Sequence, residues 1–380
     1  MSISSILRQK SSSTARPPPL TGDLELLTTI RFFAALWVFS FHFWSWLGLP
    51  DTGLWRAAGS GARGVDLFFV LSGFVIFHVY GQSGTGRDFN FAKFMWRRFA
   101  RVYPLHFVLL LVWLVFLVGL ARIGVQLERS VTLWDLVASV LLIQSWHVTD
   151  GLLLNGVAWS VSAEMTAYLS FGLLMSVSRV PPGWKFWSVA LATTAIVAHL
   201  VARSEGYPGF MHPTWDFGAL RILPSFALGV LTRMVADHVG TRGASIVGGI
   251  ALIGLFFVVQ NPDAGYVLLP LFAGLILAAA RLSHHLGRMP GVNLFVYLGE
   301  ISYSTYMVHT LILLIYSNAG PRIFGFWDRV PMTLHAIIVF LIILAASSVS
   351  YHLIEKPARN WLNRRWSRRE TARAASEGTI

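Results

Sequence analysis

Arg31 and His42 stand eleven residues apart inside one apolar run. At about 100° per helical residue they return to nearly the same angle, separated by roughly 16 Å along the axis. Ionisable groups in such a run are costly unless paired or hydrated, so each is a candidate for function. An imidazole is a base near neutral pH, and a guanidinium is a fixed cation that suits phosphate or carboxylate. The plainer account is an arginine reaching for headgroups and a histidine satisfied by a carbonyl. A second run opens Gly64-Val65-Asp66 and continues to Ser72-Gly73-Phe74. Asp66 is expected at a depth close to that of His42, where a carboxylate can orient an imidazole. A helix-start acid is the simpler alternative. Ser72 and Gly73 let another helix or a ligand approach the backbone.

Arg97, Arg98 and Arg101 precede Pro104. Spacings of three and four cluster these planar donors on one side of a helix, as phosphate binding requires; a stop-transfer cluster would carry the same charge. Trp159-Ser160-Val161-Ser162-Ala163-Glu164 opens a further apolar run. Ser160 and Glu164 share a face, and the carboxylate needs water or a partner such as Arg221. Ser302, Thr305 and His309 recur at helical spacing, and Glu355 closes the last run before Lys356-Pro357. Gly81, Gly84 and Gly86 lack the strand and lysine of a phosphate loop. His284-His285 has no carboxylate or cysteine companions, so no metal site is expected. With no cysteine, thiolate chemistry is excluded.

The chain that must position these groups has 380 residues, 55% hydrophobic and 13% charged, with a mean hydropathy of +0.60. Soluble proteins carry about 25% charged residues. A soluble enzyme and a disordered chain are both excluded, which leaves an all-α integral membrane protein. Apolar stretches of about 17–22 residues predict ten transmembrane helices in a single bundle. They lie near 28–48, 64–80, 104–121, 157–177, 186–202, 217–235, 245–260, 265–282, 294–316 and 333–354. The shorter stretch 133–146 is expected to be a helix lying on or dipping into the outer surface. Segments on the side of the two termini hold roughly three times as many Lys and Arg as the others, which predicts both termini to be cytoplasmic. Residues 1–25 read as a disordered cytoplasmic tail without a signal peptide. Residues 26–361 form the transmembrane domain, and 362–380 a basic tail lying along an anionic leaflet. The net charge of +12 is spread among loops, so no nucleic-acid partner is expected.

Taken in order from about residue 26 to 361, these motifs resemble the membrane acyltransferase-3 family of bacterial O-acyltransferases. The resemblance rests on Arg31 to His42, the Gly64 to Phe74 run, Arg97-Arg98-x-x-Arg101-x-Tyr103-Pro104, Trp159 to Glu164, Ile301 to His309, and Glu355-Lys356-Pro357. It implies transfer of an acyl group, often acetyl, from cytoplasmic acyl-coenzyme A to a hydroxyl. The acceptor would be a surface or extracellular glycan, a lipid-linked sugar or glycolipid, or a related metabolite, and the location the bacterial inner membrane. By resemblance, His42 acts with Arg31, Asp66 and Glu164, either as general base or as carrier of the acyl group. Arg97, Arg98 and Arg101 would hold the coenzyme A phosphates. Trp159, Ser160, Ser162, Ser302 and His309 would bind the acceptor. One departure is Met165, where family members often place a second carboxylate. A transporter or flippase for a glycan or acyl donor is the alternative, although the sequence lacks the internal repeats and paired broken helices of such proteins.

Overall fold

In hydrocarbon each backbone N–H and C=O must be satisfied within its own segment, which leaves helices for a chain of this composition. A computed structural model describes residues 20, 24–47, 54–81, 84–122, 130–152, 154–259, 265–286, 291–323 and 329–377. Among these, the regular elements are helices and no strand occurs. The long ones are α1 (Glu25–Leu47), α2 (Gly64–Tyr80), α3 (Phe91–Arg122), α4 (Leu133–Val140), α5 (Trp159–Val177), α6 (Trp184–Ser204) and α7 (Gly218–Ala236). They continue as α8 (Thr241–Val258), α9 (Gly265–Leu286), α10 (Val292–Glu300), α11 (Ser302–Ile323) and α12 (Met332–Ser350). A π-turn, Tyr351–Glu355, joins α12 to α13 (Lys356–Glu377).

Among the described residues, eight helices are long and apolar enough to cross a membrane, or nine if the bent pair α10–α11 is one span. Ten were expected from the sequence. The expected span at 157–177 does form a helix, α5, but Ser160, Ser162, Glu164 and Thr166 dilute its apolar character and it falls outside that count. The expected span at 294–316 is broken, with α10 and α11 meeting at 64°. The expected span at 104–121 begins earlier, because α3 runs from Phe91 through the basic cluster and through Pro104. In place of a surface helix over 133–146, eight residues form α4, started by a reciprocal Thr132–Asp135 capping box. Leu20, within the expected disordered tail, is buried and donates its N–H to Asp237 at 3.2 Å; residues 1–19 and 21–23 lie outside the described set.

The centre of the bundle is α7, 67% buried, whereas α6 and α8 are each 17% buried and lie at the periphery. Ile250, Ile253 and Phe257 of α8 point outward, which costs nothing against lipid tails. Two glycines explain why α2 and α7 cross so closely. A Cβ at Gly73 would collide with the Phe226 carbonyl, and one at Gly229 with the Val70 carbonyl. Small residues at such a crossing let backbones touch.

Candidate active site

Side chains from α1, α2, α3, α5 and α11 enclose a cavity of about 150 Å³. Its polar lining is Arg31, Ser72, Arg98, Arg101, Ser160, Glu164 and three tyrosines; Phe68, Phe69, Val75 and Ile76 contribute to the apolar remainder. A void of about this size accepts a benzene ring.

The three guanidinium groups on the wall differ in their partners. Arg101 is ion-paired to Glu355, which also accepts from Ser304 Oγ at 2.8 Å and lies 3.8 Å from Arg359. Glu355 closes the π-turn, a geometry frequent at functional sites. Arg98 has no carboxylate partner among the described residues. It reaches Tyr80 Oη at 3.4 Å and lies 5.5 Å and 5.8 Å from the ring centres of Tyr80 and Tyr168. Arg31 forms neither hydrogen bond nor ion pair with a described residue. Glu164 accepts from Tyr168 Oη and from Ser72 Oγ (3.2 Å). The cavity therefore carries two cations not committed to a carboxylate, in a setting where such charges are retained for a purpose.

His42 does not line this cavity. It forms a pair with His309, whose Nε2 lies 3.1 Å from His42 Nδ1. His42 Nδ1 is also 3.0 Å from the Val38 carbonyl, and His309 Nδ1 is 2.6 Å from the Tyr306 carbonyl. A carbonyl only accepts, so each Nδ1 carries the proton. His309 Nε2 is then a lone pair accepting from His42, and His42 Nε2 is left as the free base. Tyr306 links the pair to the cavity: its ring lines the void and lies 5.9 Å from that of His309, and its hydroxyl meets Ser160 Oγ at 2.7 Å.

Asp66 is not beside His42, contrary to the expectation. It accepts two hydrogen bonds from Arg221, at 3.0 and 2.8 Å, with both side chains buried. The fork satisfies both carboxylate oxygens and leaves none for an imidazole. This also removes Arg221 as the partner of Glu164. Trp159 lies under Arg221 at 5.0 Å and edge-on to Phe69, so it packs this ion pair and does not line the cavity. Nearby, Arg63 donates to the Met211 carbonyl and to His212 Nε2 at 3.0 Å. Burial, then the charge of Arg63, lowers the pKa of His212 in its loop, which keeps it an acceptor.

Three further expected residues lie elsewhere. Arg97 is exposed and away from the cavity lining, since one residue along α3 from Arg98 turns the side chain by about 100°. Ser162 bonds to the Leu142 carbonyl and to Ser145, anchoring the segment after α4. Ser302 bonds to the Gly299 carbonyl at the α10–α11 break. Sequence reasoning passed over Tyr168 and Tyr306. Tyr168 was within reach, four residues after Glu164 on the same face. Tyr306 carries no such signal, since Ser160 is 146 residues distant.

Residues 25–352 match a protein family described as "Acyltransferase domain". The chain is 28% identical over 385 residues to acyltransferase MdmB of Streptomyces mycarofaciens, covering 92% of this chain and 95% of that protein. It is 26% identical over 325 residues to nodulation protein 10 of Rhizobium leguminosarum bv. viciae, covering 77% of this chain and 84% of that one. A Staphylococcus aureus (strain COL) protein named for O-acetyltransferase activity is 23% identical over 339 residues, 79% of this chain but 53% of its own length. No solved structure matches the chain.

Proposed function

The chain belongs to the membrane acyltransferase-3 family and is an acyltransferase, and from that premise we propose that it carries an acyl group, acetyl foremost, from acyl-coenzyme A to a hydroxyl of a glycan, glycolipid or related metabolite. Arg31 and Arg98 hold the donor's phosphates, and its slender pantetheine arm occupies the cavity with the thioester toward Tyr306. His42 Nε2 takes the proton of the acceptor hydroxyl as that oxygen attacks the thioester carbonyl. The carbon–sulfur bond then breaks, and the imidazolium returns the proton to the departing thiolate. His309 fixes the tautomer and stabilises the charge that develops on His42. The acceptor waits on the His42 side, opposite the arginines that hold the donor.

One juxtaposition supports this reading. Two arginines without a carboxylate partner line a cavity whose wall residue Tyr306 holds His309, and through it His42. The test is purified protein in detergent with labelled acetyl-coenzyme A and a panel of hydroxyl acceptors. Acceptor-dependent release of coenzyme A, with label in the acceptor, is the expected result. Label crossing a vesicle membrane without any coenzyme A release would mark a transporter instead.

A further inference from the structure

The helix that begins with α12 continues through α13 as one candidate span of 41 residues, Met332–Ala372. At 1.5 Å per residue it is roughly 60 Å long, against a hydrocarbon core of about 30 Å. Counted from Met332, the core ends about 20 residues on, near His352. A helix of this length that enters the core at Met332 carries α13 out past the headgroups, in contrast to the leaflet-bound tail expected from the sequence.

The start of α3 braces it. Trp96 stacks on Trp366 at 5.4 Å and donates to the Leu362 carbonyl at 3.2 Å, and Lys93 pairs with Glu370 at 3.0 Å. Arg364, Arg365, Arg368 and Arg369 are exposed, and Glu370, the acid beside them, is engaged by Lys93. Closer in, Arg359 lies 3.8 Å from Glu355, which holds Arg101 on the cavity wall. Cations thus run from the cavity outward along α13.

We propose that the exposed arginine face of α13 is a capture surface for the phosphate groups of the donor's nucleotide, from which the donor passes to Arg98 and Arg31. This rests on the donor reading above. Lipid headgroups offer the same phosphate chemistry, but Arg364 stands roughly 18 Å beyond the end of the core, past a headgroup layer of about 5–8 Å. A soluble polyanion meets these arginines and a lipid phosphate does not. Single-sign surfaces of this kind raise local counter-ion concentration and association rate by about tenfold or more.

The experiment compares the full chain with the variant R364Q/R365Q/R368Q/R369Q by equilibrium and stopped-flow binding of coenzyme A. Both are measured in lipid-free detergent and in nanodiscs of neutral or anionic lipid, with melting curves to confirm folding. The expected result is an affinity about tenfold weaker, lost mainly in association rate, with a flatter salt dependence in every medium. Unchanged coenzyme A binding overturns the proposal, as does an effect confined to anionic nanodiscs, which would make the face a lipid contact. The two levels fail separately. If Arg98→Ala weakens binding and the fourfold variant does not, the capture surface falls and the donor reading stands. If the wild-type chain binds no coenzyme A, both fall.

Discussion

His309 Nε2 lies 3.1 Å from His42 Nδ1, although the two residues are 267 positions apart in the chain. The contact makes a base of one and a positioning group of the other, because His309 Nδ1 is committed to the Tyr306 carbonyl. Only one proton arrangement satisfies both carbonyls and the imidazole–imidazole contact, and it leaves His42 Nε2 free. Carboxylates usually orient catalytic histidines. In the proposed reaction a second imidazole takes that place, since Asp66 is held by Arg221.

Replacing His42 by alanine should lower turnover by roughly 10²–10⁴-fold, the usual cost of a lost general base. Yield and melting temperature should change little, since the side chain is half-buried. Turnover above about a tenth of wild type would remove His42 from the reaction.

His309→Leu and His309→Gln separate positioning from packing. Leucine removes the acceptor facing His42 Nδ1–H, and turnover should fall roughly 10–100-fold with the donor KM unchanged. Glutamine can present a carbonyl oxygen there and should restore part of the loss. The limb of the pH–rate profile that reports His42 should move in the leucine variant. Equal activity of both variants with an unmoved profile would leave His309 a packing residue only.

The arginines should divide into three behaviours. Arg98→Ala should raise the donor KM by roughly ten- to a hundredfold, since a charge-assisted hydrogen bond contributes about 1.5–3 kcal/mol, and lysine should rescue it in part. Arg97→Ala should leave the donor KM near wild type. Arg101→Ala should lower the melting temperature, because Glu355, which is 1% exposed, would keep only Ser304 and the longer contact to Arg359; removing one partner of a buried pair costs up to about 3–5 kcal/mol. Kinetics in both substrates, with melting curves in detergent, reads all three.

Helix extents were legible wherever a lipid-facing run ended at a polar break, and partners were not. The run from Gly64 to Tyr80 gave α2 its observed limits. The start of α3 was misplaced by thirteen residues, because hydropathy registers the part in lipid and not the turns carrying Arg97 to Arg101 outside it. Depth along a helix placed Asp66 near His42, but partner choice depends on rotation about the axis. The rotation that delivers Asp66 to Arg221 is set by the contact through Gly73 and Gly229. Of the site, Arg31, Arg98, Arg101, Ser160 and Glu164 were legible as candidates, but not that they surround one cavity. The contacts made by Tyr306 and the free Nε2 of His42 required coordinates.

Asp66→Asn should destabilise the folded protein by about 3–5 kcal/mol, by leaving Arg221 charged and buried without its partner. Activity should fall in proportion to the folded fraction, with KM unchanged in what remains. Replacing both residues by apolar ones of similar volume should recover much of the stability. A variant that melts like wild type yet is inactive would return Asp66 to the chemistry.

The last expectation concerns sidedness. Arg98 and Arg101 lie toward the end of the bundle from which α13 projects, and His42 lies eleven residues beyond Arg31 on α1, roughly 16 Å toward the other end. The arginines line the cavity and His42 stands outside it, beyond Tyr306 and His309. In the proposed reaction the acceptor therefore approaches His42 from the side opposite the donor. In sealed vesicles of known orientation, acetyl-coenzyme A is confined to the face carrying α13, and a membrane-impermeant hydroxyl acceptor is supplied on one face at a time. Product should form with donor and acceptor in opposite compartments. Product appearing only when they share a compartment would show that the acceptor enters beside the donor and would overturn the cross-membrane reading.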